Sequence, residues 1–534
     1  MNRKTLVLPA VLGLLAPVLA ACGGSDSGGQ SGDAIVVGTT DRFIATSEAP
    51  APLDPAYAYD VGPWNVLRQV VQTLMSQPRG GGDPEPDAAE SCGFTDSGNE
   101  RYACKLRKGL KFANGDAVTA ADVKFSIDRA RSINADSGVA GLLSTVDTVE
   151  TQGDNEVIFH LKTADATFPF KLSTPVAGIL SSKDYEKNKL RDGFQIDGSG
   201  PYTMKADVKG DEVDRITFSK NPNYKGLLTL KNDQAVLEPF KDPDAMSTAL
   251  DKGDIDVASR GMTPDQVNKL QDNPNGKVNL VEVPGLVTRY LGFKTTAPVV
   301  KSKAVRQAMA QVIDRDELVS KVYGSQAQSL YSLVPATVTG HSNSFFNKYG
   351  TPSVDKARNL LAKEGITTPV KLTLNYTTDH YGETTAAEFK VLEKQLNDSG
   401  LFDVDIKGTS WDKYRPAELK GQYEVFGMGW FPDFPDADTF IAPVLDKKNF
   451  LNSTYVNNEI RNTLIPQSRR EADRLAASKS ITQIQDIVAE DVPVIPLWQG
   501  KQYVAIQDDI MGGEYAMSTS STLQLWELSR GVSG

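Results

Sequence analysis

The chain opens with a short apolar segment that ends at a cysteine, and this limits where everything downstream can fold. Arg3 and Lys4 give a basic start, and Leu6 to Ala20 form an apolar run interrupted by Pro9 and Pro17. A membrane-spanning helix needs about 20 apolar residues, so this run is too short to span and has the character of a secretory h-region. Leu19, Ala20 and Ala21 lead into Cys22, and Gly23 to Gly32 are nearly all Gly, Ser, Asp and Gln. So polar a stretch cannot bury enough apolar surface to offset its ordering entropy, which makes residues 22–33 a flexible tether. Residues 1–21 are read as a signal peptide, and the folded body begins at residue 34.

The run Leu19-Ala20-Ala21-Cys22 resembles the lipobox of bacterial lipoproteins, in which the cysteine thiol is acylated and becomes the first residue of the mature chain. One acyl chain binds membranes only marginally, and the multiple acylation typical of that class gives stable anchoring. The resemblance implies a body held on the extracytoplasmic face of the bacterial cell membrane. An ordinary signal peptide with a nearby cysteine is the alternative.

Removal of residues 1–21 takes Arg3 and Lys4 from 57 basic residues, so 55 basic stand against 68 acidic and the formal charge is −13. Nucleic acid is a poor partner for such a surface. A length above 500 residues allows two or three lobes, each with a core of its own. No later apolar run approaches a membrane span, so only the N-terminus is expected to touch lipid.

Acylation of Cys22 would leave Cys92 and Cys104, which bracket a segment dense in turn formers from Thr95 to Asn99. A hairpin centred near Gly98 sets the two cysteines opposite each other, and an oxidising compartment favours a structural disulfide between them.

Capping patterns mark several helix starts. Thr119 to Asp122 reads as a capping box ahead of Val123, Ile127 and Ala130. Thr263-Pro264-Asp265-Gln266 adds proline at the first helical position, and Asp314 to Glu317 precedes another start. Val305, Ala308, Met309 and Val312 share one face, and a short helix with Leu360 and Leu361 inward ends before Gly365. Strand-like runs alternate with these: 34–39, 156–161, 215–218, 278–283, 370–376 and 423–428. The alternation predicts α/β lobes with mixed sheets, and no repeat period points to a solenoid or propeller. Pro284-Gly285 and the stretch Pro493 to Pro496 are candidate crossing points between lobes.

Motifs for catalysis are sparse. His160, His341 and His380 are far apart and show no metal-ligand spacing, so each reads as an ordinary surface or core residue. Gly198-Ser199-Gly200-Pro201 does not meet the serine-elbow pattern, and Pro201 opposes the helix that would follow it, so it reads as a turn. No Walker A lysine motif is present, and any ATP chemistry belongs to another chain. Asp433, Asp436 and Asp438 are close enough to act as acid/base groups or oxygen ligands for a divalent cation. Trp430, Phe431 and Phe434 beside them also suit a site for an organic cation, whereas the prolines fit a stiff solvated loop. The local sequence leaves these readings open.

The segment from Leu106 to Ser126, LRKGLKFANGDAVTAADVKFS, resembles the signature of family 5 extracellular solute-binding proteins, the dipeptide, oligopeptide and nickel receptors of ABC importers. Leu53-Asp54-Pro55, Gly198 to Tyr202, Ala249 to Asp256, Val305 to Ala308, Ile313 to Arg315 and Gly429-Trp430 extend the likeness through most of the mature chain. Lys294 after Tyr290 to Phe293 departs from the asparagine usual in the family.

The resemblance implies a two-lobed periplasmic-binding-protein fold of type II, with an extra subdomain on the N-terminal lobe and the ligand between lobes. It divides the chain into lobe I over 34–283, lobe II over 284–493 and a return to lobe I over 494–534. Hinge closure is the usual switch for such proteins. In peptide-binding members an aspartate three residues after the Gly-Trp tryptophan pairs with the ligand's ammonium group, which carries over to Asp433. A peptide backbone could then add beside Gly429, Trp430 and Phe431. Tyr290 is a further candidate for the lining, and Arg289 and Arg415 are candidates to neutralise a peptide's carboxylate by proximity to family segments.

The reading implied is a monomeric, lipid-anchored receptor without cofactor or metal, which captures oligopeptides for an ABC permease and its ATPase subunits. A nickel chelate, glycan fragment or siderophore is the alternative ligand within the same fold, since one fold hosts many ligands. A surface hydrolase lacks a nucleophile–base pair here, and an adhesin would be expected to show repeats. If the Cys22 reading holds, Cys22→Ser protein should leave the membrane fraction on cell fractionation while binding ligand as the wild type does.

Overall fold

In the computed structural model, which describes residues 34–531 apart from 48, 80 and 448, the strands form two large mixed sheets, a smaller four-stranded antiparallel one and two two-stranded pairs. Cys22, the signal segment and the tether lie outside the described residues. The first large sheet runs Val278–Val283, Gln502–Gln507, Val257–Arg260, Ile35–Thr39, Gln234–Pro239, Glu212–Lys220 and Tyr202–Lys209. At its centre Ile35–Thr39 is parallel to both neighbours and buried at all five positions. A strand covered on both faces needs such an unbroken apolar run. The second runs Ala327–Ser329, Val494–Gly500, Thr288–Phe293, Val425–Trp430, Val370–Thr377 and Phe402–Thr409. Each sheet packs its own hydrophobic core, giving two lobes.

The chain passes between the lobes twice, from Val283 to Thr288 and from Gly500 to Gln502. The two crossings touch, because the Gly500 amide donates to Val287 O at 2.8 Å and Gln499 Nε2 donates to Gly285 O at 2.8 Å. The return to lobe I expected at 494 is displaced. Val494–Gly500 belongs to the second sheet, paired with Thr288–Phe293, so the chain re-enters the first sheet only at Gln502. Pro496 is the reason for the difference: it reads as punctuation, yet it sits at a register irregularity opposite Tyr290, where a ladder tolerates proline.

The third sheet, Ala89–Phe94, Arg101–Leu106, Glu156–Leu161 and Val146–Gln152, forms the extra subdomain, with helix Ala120–Ile133 against it. Its core is continuous with that of lobe I. Cys92 and Cys104 face each other across the hairpin and are disulfide-bonded, with Cα atoms 4.1 Å apart.

Local sequence signals account for the helix starts. Thr119 and Thr263 form capping boxes with Asp122 and Gln266, and Asp314 Oδ1 accepts from the Glu317 amide at 2.9 Å. In helix Val354–Lys363 Leu361 is buried, but Leu360 is only half-buried. Asp54, fully buried, receives both Nη atoms of Arg129 at 2.8 and 2.6 Å and the backbone amides of Ala56 and Arg191. That network ties the chain just before helix Val61–Val70 to the subdomain, and it gives the Leu53-Asp54-Pro55 motif a structural role.

Gly198-Ser199-Gly200 packs under the end of the same helix. The Gly200 amide donates to Val70 O at 2.8 Å, and a Cβ at Gly200 would stand 2.5 Å from that backbone. Ser199 is buried, as a turn residue under a helix should be and a nucleophile should not. Gly200→Ala is expected to cost about 2 kcal/mol or more in urea unfolding, through forced backbone displacement. Gly141→Ala, where a Cβ meets nothing within 4 Å, should be near neutral.

Candidate functional site

Both lobes and the segment 520–522 wall a cavity of about 120 Å³. Lobe I supplies one face of helix Val61–Val70. Its start is fixed by Asp60, whose carboxylate accepts from the Val61 amide at 2.7 Å. Spacing of four residues then puts Asp60, Trp64 and Arg68 in line on the cavity side. Tyr59, just before the helix, packs against Trp64 with ring centroids 5.7 Å apart.

Lobe II supplies the end of strand Val425–Trp430 and the turn beyond it. On one side the strand pairs fully with Thr288–Phe293, but on the other it pairs with Val370–Thr377 only at Val425 and Phe426. Past Phe426 the second edge has no strand among the described residues. The carbonyls of Gly427 and Gly429 are met instead by the hydroxyls of Tyr414 at 2.8 Å and Tyr381 at 3.3 Å. Aromatic rings continue the wall: Trp430 meets Phe450 edge-on, and His380 stacks flat on Trp411 at 3.9 Å. At Gly429 a Cβ would collide with Arg289 Nη1 and stand 3.0 Å from the Tyr381 ring, so a larger residue would have to displace that guanidinium.

Asp433 is 5% exposed and lies in this wall. Tyr59 Oη from lobe I and Thr439 Oγ1 from lobe II both donate to its Oδ2 at 3.2 Å. No arginine or lysine among the described residues forms an ion pair with it. Burial pushes its carboxyl up to about 7, against the two hydroxyl hydrogen bonds and the more distant charge of Arg68.

Its neighbours differ. Asp436 is held by Arg474 through two contacts at 2.7 and 3.1 Å, and Asp438 by Arg469 at 2.9 and 3.1 Å. Bidentate guanidinium pairs of this kind leave little capacity for a metal or a proton-transfer role. Among the described residues no group of three His, Cys, Asp or Glu side chains is placed to hold a metal ion. The three aspartates thus separate into one uncompensated carboxylate in the cleft and two that fix the loop carrying it.

Of the residues singled out from sequence, Gly429, Trp430, Phe431 and Asp433 come together in the lining, and Tyr290, Arg289 and Arg415 do not. Arg289 is 3% exposed behind Gly429, its guanidinium stacked 3.8 Å over Tyr381 and 5.0 Å from the Trp498 ring centre. Glu388, kept well buried and raised in pKa by that burial, stands 3.9 Å from it. Tyr290 is 2% exposed, being the next residue along the strand and so turned to the opposite face. Arg415 is taken by Glu418 and by Phe450 O at 2.6 Å, stacked over the Phe450 ring. It supports the wall from outside.

His380 does not behave as an ordinary surface or core residue, because its ring forms part of the cleft. Burial lowers its pKa, with Asp60 acting in the opposite sense. Tyr59, Trp64, Arg68 and Trp411 were also illegible as site residues. Only the stripe Asp60, Trp64, Arg68 at helical spacing could have given a signal, and it points equally to a core face.

Chain comparisons agree with this architecture. The model of "Bacterial extracellular solute-binding proteins, family 5 Middle" matches residues 83–452. Heme-binding protein A of Haemophilus influenzae is 26% identical, over 93% of this chain and 94% of its own. A probable D,D-dipeptide-binding periplasmic protein of Escherichia coli is 26% identical, over 88% and 90%. The solved structure of the Escherichia coli murein tripeptide binding protein superposes with a TM-score of 0.78 at 20% identity, covering 94% of this chain and 99% of that one, a likeness of fold.

A carboxyl near pKa 7 in the folded state, against 3.8 ordinarily, keeps a proton that the unfolded chain loses between those values. Wild-type stability therefore declines as pH rises from about 4 to about 7 on account of this group. Asp433→Asn should melt close to wild type near pH 4 and higher by about 2 to 4 °C at pH 8, in ligand-free protein followed by calorimetry.

Proposed function

The chain belongs to the bacterial extracellular solute-binding proteins of family 5, and from the charge and shape of its cleft we propose that it captures peptides and delivers them to an ABC permease. The observation that carries this reading is Asp433, a buried carboxylate with no ion-pair partner among the described residues, just beyond a strand whose outer edge has no strand partner past Phe426 among them. An ammonium group is the natural complement of the carboxylate. A peptide main chain is the natural complement of the edge, and hydrogen bonds to it ignore side-chain identity. Tyr381 holds that edge at Gly429 meanwhile, and its hydroxyl can yield to a ligand.

Closure of the lobes is the capture step. Contacts between lobes are mostly polar and aromatic: Tyr59 meets Asp433 and Phe450, Phe170 stacks on Phe434, Arg260 lies over Phe431, and the Ala166 amide and Asn99 Nδ2 donate to Arg469 O and Arg470 O at 2.8 Å. Two thin crossings let such contacts open and re-form as a hinge. Water that fills space around the side chains allows varied sequences to bind. The protein releases its ligand chemically unchanged. Acylation at Cys22 would confine this body to the membrane that carries its permease and raise their effective concentration.

The test is mass spectrometry of small molecules that co-purify with the protein, followed by calorimetric titration. Peptides are expected, and recovery of a sugar or metallophore with no peptide would overturn the assignment. Asp433→Ala should weaken binding of a peptide with a free amino terminus at least about tenfold, since it strands a buried ammonium. For the wild type, affinity should fall as pH drops below about 7, where Asp433 must first lose a proton to pair.

A further inference from the structure

The ammonium partner leaves unanswered what receives the opposite charge of a peptide, and neither Arg289 nor Arg415 reaches the cavity. Arg68 does. It lies two helical turns along from Asp60, on lobe I, with the cavity on one side. Its Nη1 donates to Ser173 O at 2.9 Å, and its guanidinium stands 5.6 Å from the Trp64 ring centre. Among the described residues its Nε and Nη2 have no protein partner, and no carboxylate lies within ion-pair distance. A guanidinium with two donors left over presents the fork that a carboxylate fills.

Asp433 and Arg68 face the same space from opposite lobes. They are not in contact, yet each lies in the other's field. Arg68 also lines a second, smaller chamber of about 40 Å³, and Thr522 borders both. In that chamber Gln524 is 4% exposed with Oε1 unpartnered, and Gln77 Nε2 is likewise unpartnered. A buried acceptor and donor left open in this way are costly unless a water or ligand meets them.

Resting on the peptide reading above, we infer that Arg68 is the carboxylate subsite, so that the cleft selects short peptides with both termini free, the ammonium at Asp433 and the carboxylate at Arg68. An extended backbone rises about 3.3 Å per residue. The short span of a dipeptide or tripeptide suits two charges that line one cavity of about 120 Å³, and each added residue carries the carboxylate farther from the ammonium. The orphan amides of Gln77 and Gln524 then complement a small polar group on the last residue.

Three peptide libraries test this on the full chain by native mass spectrometry: dipeptides to pentapeptides as free acids, the same peptides C-terminally amidated, and the same peptides N-acetylated. Wild type should prefer acids over amides by at least about tenfold for dipeptides and tripeptides, with the preference fading at five residues. Arg68→Gln should bind acids and amides alike, and Arg68→Lys, which retains the charge, should keep part of the preference. Equal binding of acids and amides by wild type, with N-acetylated peptides rejected, would overturn the Arg68 assignment and leave the peptide reading intact. An Arg68→Gln protein that still prefers acids overturns it too. Failure of every library to bind removes the peptide reading and this subsite together. Should Arg68→Gln fail to fold, the wild-type ratio and Arg68→Lys decide the matter.

Discussion

Two short crossings, Val283 to Thr288 and Gly500 to Gln502, are the constraint on which the rest of this structure depends. Each lobe closes a hydrophobic core around its own sheet, so the space between them is not itself a core. What lies between them can then be polar, partly open and adjustable, as a core could not be. The crossings hydrogen-bond to each other, which ties the two lobes together along one edge.

That arrangement explains how an uncompensated carboxylate is tolerated. In a lobe core, Asp433 would need a permanent cation, as Asp54 has in Arg129 and Asp438 has in Arg469. In the cleft it is hydrogen-bonded by Tyr59 from across the gap. Burial raises its pKa because no cation among the described residues pairs with it to offset the loss of water, Arg68 acting only from a distance. A binding site for an ammonium group is, in this sense, half of an ion pair. Arg68 is the mirror case on the other lobe, held by one carbonyl and a tryptophan face.

The wall between those charges is built from rings whose positions are set by residues behind them. Gly429 leaves room for Arg289, Arg289 stacks under Tyr381, and Arg415 stacks on Phe450 while gripping its carbonyl. These arginines lie near the site in space without entering it, which is why proximity to the Gly429-Trp430 motif in sequence misassigns them. A buried arginine and a ligand-binding arginine look alike in a string of letters. They separate only when the packing around each is known.

The sequence by itself determined the local pieces: caps at Thr119, Thr263 and Asp314, the central strand Ile35–Thr39, the Cys92–Cys104 hairpin, and the stretch from Gly429 to Asp433 as a place of interest. Each rests on interactions between residues close along the chain, or on a hydrophobic period that needs no partner to be recognised. Tertiary structure alone decided that the second crossing is at Lys501, that Asp436 and Asp438 are neutralised while Asp433 is not, and that Tyr59, Arg68, His380 and Trp411 share one cavity. Those residues come from segments hundreds of positions apart, brought together by two lobes folding separately and meeting. No local period or motif encodes that meeting, because the energy that fixes it is buried inside each lobe and not in the cleft between them.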